Sequence, residues 1–308
     1  MISIQHLTKL YGSVIGVNDV SIDLADGTHG LVGPNGAGKT TFLGLVTGQL
    51  RPTMGRVLVF GESPFGNARV LRRMGYCPAA DLTDRSTTPR EWVRYLVRLS
   101  GFTAAEASIR ADRSLEQVGL TAAARRPLGT LSKGMRQRAK LAGAMAHDPD
   151  LLVLDEPFDG LDPVARRHLV ELVRSWATSR SLIVASHLLH EVESLDAGLA
   201  VILGGRLAAS GTAAEIRGLI DALPVEVRVR CVDPLRFAEI ACSVEGVEGV
   251  RLEAGMVVVA TRRPAAVVEQ AVGRAVAEGL SVSEVVPADR SLEGIFGQLM
   301  RLHRGVQA

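Results

Sequence analysis

The sequence predicts a two-part protein, an α/β fold over residues 1–220 followed by a small α+β domain over residues 223–308. Three observations lead to this prediction. Apolar strands alternate with helices in the first part, and a glycine-rich loop at residues 33–40 joins a strand to a helix. After a break near residues 219–224, an alternating apolar pattern starts again. Alternation of strands and helices is typical of a largely parallel sheet.

The first part begins with residues that alternate between apolar and polar, which predicts a β-rich layer. The strands are expected over residues 2–10, 17–24, 29–32 and 56–60. The glycine-rich loop follows the third of these strands and opens a helix at Lys39.

Residues 80 to about 146 predict a helical subdomain inserted into this α/β core. Its helices are expected over residues 91–99, 104–118 and 135–146. In the first helix, an apolar stripe at helical spacing predicts the inward face; its members are Trp92, Tyr95, Leu96 and Leu99. Apolar strands complete the parallel sheet, at residues 74–77, 151–154 and 182–185.

The pattern that restarts after the break predicts elements in the order β-α-β-β-α-β. They are a strand at 225–231, a helix at 234–244, a hairpin of strands 250–253 and 256–261 around Ala254 and Gly255, a helix at 265–278, a strand at 281–286 and a closing helix at 292–303. This order is typical of ferredoxin-like domains. The segment carries no catalytic constellation, so we expect a packing or dimerisation role rather than a ligand site.

The composition is ordinary for a globular protein with room for about two domains. Of the 308 residues, 47% are hydrophobic and 22% are charged. The 35 Lys and Arg against 33 Asp and Glu give a net charge of +2. We therefore expect no nucleic-acid partner, since such proteins usually carry a basic patch. Three scattered cysteines without a CxxC spacing predict neither a zinc site nor a disulfide framework.

The chain shows no signal for crossing a membrane by itself. Its first residues lack the charged start and apolar segment of a signal peptide. No stretch of about 18 uninterrupted apolar residues occurs. Together with the cysteine usage, this favours a cytoplasmic setting.

The glycine-rich loop is the strongest chemical signal in the sequence. It fits the pattern GxxxxGK[ST] in full, through Gly33, Pro34, Asn35, Gly36, Ala37, Gly38, Lys39 and Thr40, and Thr41 follows it. Glycines let backbone N–H groups converge on a phosphate, and the helix start offers more of them. Lys39 is expected to reach the β- and γ-phosphates of ATP, and the Thr40 hydroxyl to ligate Mg²⁺. A chance glycine-rich turn is the alternative.

An apolar strand at residues 151–154 ends in two carboxylates, Asp155 and Glu156. The carboxyl edge of an α/β sheet is where such folds place their ligands. Asp155 is therefore expected to hold the Mg²⁺ shell, and Glu156 to orient and polarise the attacking water. The alternative, two solvated acids at a strand end, loses weight beside a phosphate loop.

Residues 131–138, with the sequence LSKGMRQR, open a predicted helix. With the phosphate loop and the paired acids, this segment resembles the ATP-binding cassette (ABC) family, whose signature reads LSGGQ. Ser132 and Gly134 match the signature, whereas Lys133 and Met135 depart from it. The variant resembles the one in cassettes that serve ABC-2-type exporters. A plain helix N-cap at Ser132 is the other interpretation, and both can hold together.

The resemblance covers about residues 1–220 and implies a P-loop NTPase fold, with a RecA-like core, an antiparallel β layer and an inserted helical subdomain. In the family, Ser132 and Gly134 would bind the γ-phosphate of ATP held by a second copy. The resemblance also implies Mg²⁺-dependent ATP hydrolysis in a head-to-tail homodimer. Movement of a substrate, with export as the expected direction, would then pass through separate permease subunits of the ABC-2 type at the cytoplasmic face of the membrane.

Further positions match the family. Tyr11 lies where the family stacks an aromatic ring on adenine. Residues 160–163, Gly-Leu-Asp-Pro, match the D-loop that touches the second subunit, and His187 matches the switch histidine that contacts the γ-phosphate and the attacking water. Residues 291–296 resemble the closing helix of ABC-2-type cassettes.

One position departs from the family in a way that bears on catalysis. Where the family places Gln or Glu after the strand at residues 74–77, this chain has Ala79, which offers no oxygen to Mg²⁺ or water. A water could fill the vacancy, or Asp81 could substitute if the loop shifts. We expect hydrolysis to persist, either slowed or coupled differently to the membrane subunit.

Two other functions are compatible with a cassette ATPase. A soluble ATPase acting on translation or nucleic acid usually carries two cassettes or a long coiled-coil insertion, and this sequence has neither. A regulatory module that binds ATP without hydrolysing it is disfavoured by the presence of Lys39, Asp155, Glu156 and His187.

Overall fold

The computed structural model describes residues 1–221, 224–253 and 255–286. The chain forms two compact units, Met1–Ala213 and Ala214–Ala308. The domain limits predicted from the sequence, 1–220 and 223–308, stay a prediction. No helix in the described ranges combines the length and the apolar character that a membrane crossing requires.

The first unit contains nine strands and most of the helices that the structure describes. The strands are β1 (Ile2–Tyr11), β2 (Val14–Leu24), β3 (Thr28–Val32), β4 (Met54–Val59), β5 (Met74–Cys77), β6 (Leu151–Asp155), β7 (Ser181–Ser186), β8 (Gly198–Leu203) and β9 (Arg206–Gly211). The helices are α1 (Lys39–Val46), α2 (Ala68–Leu71), α3 (Pro89–Leu99), α4 (Ala104–Gln117), α5 (Lys133–Met145), α6 (Pro163–Ala177) and α7 (Leu189–Glu193), and α8 (Ala213–Asp221) follows. Short 3₁₀ turns lie at Thr121–Ala123 and Leu128–Thr130.

Two sheets build the first unit, and one of them explains where the site lies. An antiparallel sheet has the order β2-β1-β4, and a six-stranded sheet has the order β5-β6-β7-β3-β8-β9. All strands of the larger sheet run parallel except β9. Every residue of β6 and β7 is buried, which is why these strands are nearly continuous apolar runs. Their carboxyl ends reach the same edge, because Asp155 pairs with Ala185 and Val32 pairs with Ser186.

The core of the first unit follows the predicted alternation. Ile2, Ile4 and Leu7 of β1 are at most 1% exposed and pack with Leu43 of α1 and Val153 of β6 in one cluster. Burial of each such side chain contributes roughly 1.5–3 kcal/mol. The β-rich layer is thereby packed onto the phosphate-loop helix and the sheet.

The helical subdomain has its predicted helices, but the inward face of α3 differs from the prediction. Val93 and Val97 are fully buried, whereas Tyr95 and Leu99 of the predicted stripe are 61% and 65% exposed. The buried valines are four residues apart and so lie on one row of the helix surface. Trp92 and Leu96 of the stripe do pack against α5, since a Cβ on Gly143 would lie 2.4 Å from Trp92 Cζ3 and 2.8 Å from Leu96 Cδ1. Local spacing reveals an apolar stripe, but which face of α3 is covered depends on the helices that pack against it, α4 and α5.

The second unit contains a four-stranded antiparallel sheet with the order β11-β12-β10-β13. Its elements are β10 (Val225–Cys231), α9 (Pro234–Cys242), β11 (Val247–Glu253), β12 (Met256–Thr261), α10 (Pro264–Ala266), a π-helical turn (Val267–Val272), α11 (Gly273–Ala277) and β13 (Val282–Val286). Strand and helix types follow the predicted order, and β10 and β12 have the predicted bounds. The ferredoxin-like assignment stays a prediction. The closing helix at 292–303, the motif at 291–296 and Ala254 of the hairpin lie outside the described residues.

Candidate functional site

The phosphate loop connects β3 to α1, and its glycines are required by its geometry. Gly36 and Gly38 have φ angles of 78° and 104°, which side-chain-bearing residues rarely adopt. A Cβ on Gly38 would lie 2.3 Å from the Gly16 oxygen, and one on Gly33 would lie 2.2 Å from the Ile202 oxygen. The loop is therefore packed against two neighbouring backbone segments, and α1 starts directly after it with free N–H groups.

The Lys39 side chain lies inside the phosphate loop, where a phosphate is expected to bind. Its side chain is only 6% exposed, and Nζ donates to the carbonyl oxygens of Gly33 at 2.7 Å and Pro34 at 3.3 Å. The same Nζ lies 3.2 Å from Oε1 of Glu156. This ammonium therefore joins the phosphate loop to the carboxylate that follows β6.

Asp155 is fully buried at the end of β6, and one of its oxygens is free. Oδ2 accepts a hydrogen bond from Thr40 Oγ1 at 2.8 Å, while Oδ1 has no hydrogen-bond partner among the described residues. Burial raises the pKa of Asp155, and the bond from Thr40 offsets part of this rise. A buried carboxylate oxygen without a partner, beside a hydroxyl, suits a hard divalent cation such as Mg²⁺. Thr40 and Asp155 therefore fit the metal role predicted for them.

Glu156 and His187 form a second pair at the same edge. Glu156 has a φ of 47°, a left-handed conformation that is uncommon for a side-chain-bearing residue and concentrates at functional sites. Its amide donates to the Ala185 oxygen at 2.9 Å, which holds the strained turn. Oε2 lies 2.9 Å from His187 Nδ1 and accepts from the His187 amide at 3.3 Å. The carboxylate thus favours the tautomer with the proton on Nδ1.

Tyr11 and Thr41 both lie against Gly16, and Thr41 belongs to the first turn of α1. A Cβ on Gly16 would lie 2.8 Å from Tyr11 Cε2 and 2.9 Å from Thr41 Cγ2. The tyrosine ring is 46% exposed, with the Lys9 ammonium 5.4 Å from its centroid. An exposed ring beside the phosphate-loop helix can receive a flat base by stacking.

The signature segment lies at the start of α5. Ser132 is the N-cap of this helix, since its hydroxyl accepts from the Met135 amide at 3.2 Å. The N-cap interpretation of Ser132 is thus confirmed. Lys133 Nζ contacts Asp159 Oδ2 at 2.8 Å, and both side chains are 56% exposed. No hydrogen bond joins Ser132, Lys133 or Gly134 to the phosphate loop within the described part of the chain.

The D-loop packs beside the signature segment. A Cβ on Gly134 would lie 3.0 Å from Leu161 Cδ2, and one on Gly160 would lie 2.5 Å from Lys133 Nζ. Gly160 has a φ of 70°, which explains the glycine. Asp162 caps α6, accepting from the amides at positions 164 and 165. Residues predicted to meet a second copy therefore lie side by side in one chain.

The loop after β5 has a different arrangement from the one that the family pattern suggests. Ala79 is exposed, and its carbonyl oxygen accepts from Lys140 Nζ at 3.3 Å. Asp81, the possible substitute for the missing Gln, is paired with Arg136 at 2.9 Å and Arg85 at 3.2 Å. Its hydrogen bond with Arg136 is the main reason that its pKa is lowered. Asp81 is therefore engaged with the helical subdomain.

Sequence reasoning missed two buried charged residues near the site. Lys140 is 2% exposed and Glu191 is 4% exposed. Glu191 Oε2 accepts from Ser186 Oγ at 2.7 Å, and this hydroxyl in turn accepts from the Leu188 amide at 3.0 Å. These bonds fix the turn that carries His187. The available signal for Lys140 was its place between the apolar Ala139 and Leu141 in a helix.

Comparison with known proteins gives one family. A family model described as "ABC transporter" matches residues 17–159. The bacitracin transport ATP-binding protein BcrA of Bacillus licheniformis is 36% identical over 211 residues, covering 67% of this chain and 68% of BcrA. The Nod factor export ATP-binding protein I of Burkholderia orbicola is 39% identical over 213 residues, covering 68% of this chain and 70% of that protein.

A solved structure agrees with these relatives. The ATP binding subunit of an ABC transporter superposes with a TM-score of 0.64 at 26% identity, covering 71% of this chain and 92% of that one.

Proposed function

The chain belongs to the ABC transporter family and is one of its ATP-binding, ATP-hydrolysing subunits, and on this premise we propose that two copies close on two ATP molecules to drive export through separate membrane subunits. The observation that carries the proposal is the set of direct contacts that joins Lys39 to Glu156 and Glu156 to His187, 3.2 Å and 2.9 Å long. These contacts bring together, at one edge of the sheet, the phosphate loop, the carboxylate that we assign as general base and the imidazole that we assign as switch histidine.

Binding of ATP is assigned to the phosphate loop and the residues around it. The backbone of residues 33–38, the ammonium of Lys39 and the hydroxyls of Thr40 and Thr41 would receive the phosphates. Tyr11 would stack on the adenine ring, which explains an exposed aromatic side chain at the end of β1. In the second copy, Ser132 and Gly134 would close the site from the other side.

Magnesium fits Thr40 Oγ1 and the free Oδ1 of Asp155, where it would neutralise charge on the phosphate oxygens when bound. The chain's own groups do the rest. Lys39 moves from the carbonyls of its loop to the phosphates, which frees a Glu156 oxygen to accept a proton from the attacking water. His187, held by that carboxylate and by its turn, is placed to contact the γ-phosphate.

Pairing of two copies follows from what the signature segment lacks. Ser132 is exposed and caps its own helix, and the D-loop beside it is exposed at Gly160. A helix N-terminus that carries a hydroxyl suits a phosphate. Since this segment does not bond to its own phosphate loop among the described residues, we assign its ligand to a second copy.

Export and the kind of partner are inferred from the relatives and the signature variant. The relatives are named for bacitracin transport and Nod factor export. The segment LSKGMRQR resembles that of ABC-2-type cassettes. We therefore assign the partners to ABC-2-type permease subunits, with this chain bound peripherally at the cytoplasmic face of the membrane.

The direct test compares ATP hydrolysis by the wild-type chain with Lys39→Ala and Glu156→Gln. We expect both variants to lose activity by about a hundredfold or more, because Glu156→Gln removes the proposed general base and Lys39→Ala removes the cation assigned to the phosphates. Glu156→Gln should still bind ATP and should pair at saturating MgATP in size-exclusion chromatography with light scattering. Glu171→Gln, an exposed acid on α6, is the matched control and should behave like the wild type.

Unchanged hydrolysis in Lys39→Ala or Glu156→Gln, in a preparation free of contaminating ATPase, would overturn the proposal. The membrane partner is tested separately by affinity capture of the chain from solubilised membranes. Recovery of a multi-span protein whose presence alters ATP turnover supports the assignment; recovery of ribosomes or nucleic acid contradicts it.

A further inference from the structure

A buried lysine that the proposed mechanism does not use ties α5 to the loop after β5. Lys140 is 2% exposed, and its ammonium donates to three successive carbonyl oxygens, those of Pro78 at 2.7 Å, Ala79 at 3.3 Å and Ala80 at 2.9 Å. An ammonium has three N–H donors, so these contacts use all of them. Burial lowers the pKa of Lys140.

A second basic residue on the same helix holds the next residue of that loop. Arg136 lies one turn before Lys140, so both side chains project from the same side of α5. Its guanidinium is only 14% exposed and pairs with Asp81 at 2.9 Å. The same guanidinium donates to the Leu131 oxygen at 2.6 Å, directly before the N-cap Ser132. Loop 78–81 is therefore joined to α5 by two cations, and one of them, Arg136, also contacts the segment directly before Ser132.

The loop held in this way starts next to the catalytic carboxylates. β5 pairs with β6 in parallel, and Cys77 is opposite Leu154. Loop 78–81 thus leaves the sheet one position before Asp155 on the neighbouring strand. Because the Lys140 ammonium hydrogen-bonds to the backbone of this loop, it fixes the position of α5 relative to the end of β6. The position of Ser132, at the start of α5, is thereby fixed relative to Asp155 on β6.

We propose that Lys140 is a positioning residue that sets the signature segment of its own copy relative to its own nucleotide-binding carboxylates, and so controls how readily two copies pair on ATP. The inference rests on the proposed function, because it needs the pairing of two copies. Each copy uses its carboxylates at one ATP and its signature at the other, so correct pairing requires the two to be in register.

Packing alone does not explain a lysine at this position. Burial of an ammonium is unfavourable before its hydrogen bonds are counted, and an apolar side chain of similar length would fill the same space. The bonds go to main-chain oxygens, so they hold the loop whatever side chains positions 79 and 80 carry. Both of those positions are alanine, and the described loop has no other side-chain tie at Pro78, Ala79 or Ala80.

The test uses the full chain in the Glu156→Gln background, in which the ATP-bound pair accumulates. Lys140→Met keeps the length of the side chain and removes its donors. We expect the MgATP concentration for half-maximal pairing, measured by light scattering, to rise about tenfold or more, which corresponds to about 1.4 kcal/mol. Binding of a fluorescent ADP analogue, which uses only the phosphate-loop half of the site, should stay within about twofold of the parent.

Arg90→Met is the matched control, because Arg90 joins α3 to α4 through Asp112 at 2.8 Å and does not touch loop 78–81. It should lower the melting temperature and leave pairing unchanged. If Lys140→Met does not fold, Asp81→Asn replaces it, since this change removes the negative charge that pairs with Arg136, the other contact of α5 with the loop, at a partly exposed site. A smaller shift of pairing in the same direction then supports the proposal.

Pairing of Lys140→Met, or of Asp81→Asn in its place, at the parent's MgATP concentration overturns the inference alone. An equal loss of ADP-analogue affinity and of pairing also overturns it, because Lys140 would then be supporting the fold in general. A Glu156→Gln parent that stays single at saturating MgATP overturns the proposed function, and this inference with it.

Discussion

The two halves of the nucleotide site differ in how far their bonding is completed within one chain. In the phosphate-loop half, Glu156 contacts both Lys39 and His187 directly, and Asp155 is fully buried. In the signature half, Ser132 is exposed and Lys133 bonds to an equally exposed Asp159. The first half is prepared to bind before any partner arrives. Among the described residues, the signature half makes no hydrogen bond to the phosphate loop of its own chain, which is the physical reason to expect a second copy.

The largest effect on ATP turnover is expected in the phosphate-loop half, from Asp155→Asn. The change removes the carboxylate that we assign to the cation, and metal-ion stabilisation of several kcal/mol corresponds to at least about a hundredfold in turnover. The nucleotide-free variant should nevertheless be more stable than the wild type at pH 7, because burial raises the pKa of Asp155 and penalises its ionised form. We expect a higher midpoint of thermal unfolding, by about 2–4 °C per kcal/mol.

The pH dependence of this stability difference follows from the direction of the pKa shift. Below the ordinary aspartate pKa of 3.8, the carboxyl is neutral in the folded and the unfolded chain, so the two proteins should differ least. As the pH rises through the raised pKa of the folded state, the wild type loses stability relative to Asp155→Asn. Melting curves of both proteins across this range provide the check, and a gap that widens toward acid would contradict the account.

A smaller effect on ATP turnover is expected in the signature half, from Ser132→Ala. The change removes the hydroxyl that we assign to the second copy's γ-phosphate, so turnover should fall about tenfold, near 1.4 kcal/mol. It also removes an N-cap, which costs about 0.5–2 kcal/mol of stability. Thr103→Ala removes the cap of α4 in the same way and is the control. If both variants lose turnover equally, Ser132 acts only as a cap.

The smallest effect on ATP turnover is expected from Ala79→Gln, which places in the phosphate-loop half the residue type that the family has at this position. A side-chain oxygen at this position can contact the cation or the attacking water, so turnover should rise a few-fold, less than about 1 kcal/mol in the barrier. Ala80→Gln, at the adjacent exposed alanine, is the control and should have no effect. Equal turnover in Ala79→Gln and the wild type, with and without the membrane partner, would remove this idea.

Local sequence patterns were sufficient to predict the phosphate-loop half of the site. Contacts between residues distant in the sequence could not be predicted in this way. The phosphate loop, the acids after β6 and the strand ends follow from neighbouring residues and strand polarity. The bonds of Lys140 to loop 78–80 join positions about 60 apart in the chain, and no local pattern encodes them. The prediction of the inward face of α3 was wrong for a related reason. Val93 and Val97 are buried because the neighbouring helices cover their side of α3, and the local sequence does not show this.

The contacts of Lys39 have a consequence for how the site responds to its medium. Before any nucleotide arrives, its ammonium already has two carbonyl oxygens and a carboxylate as neighbours. An incoming triphosphate therefore exchanges with these groups and does not meet a bare cation. Long-range attraction is correspondingly weaker, because Glu156 cancels much of the charge that a distant anion would sense. Recognition should thus depend more on close fit than on ionic strength.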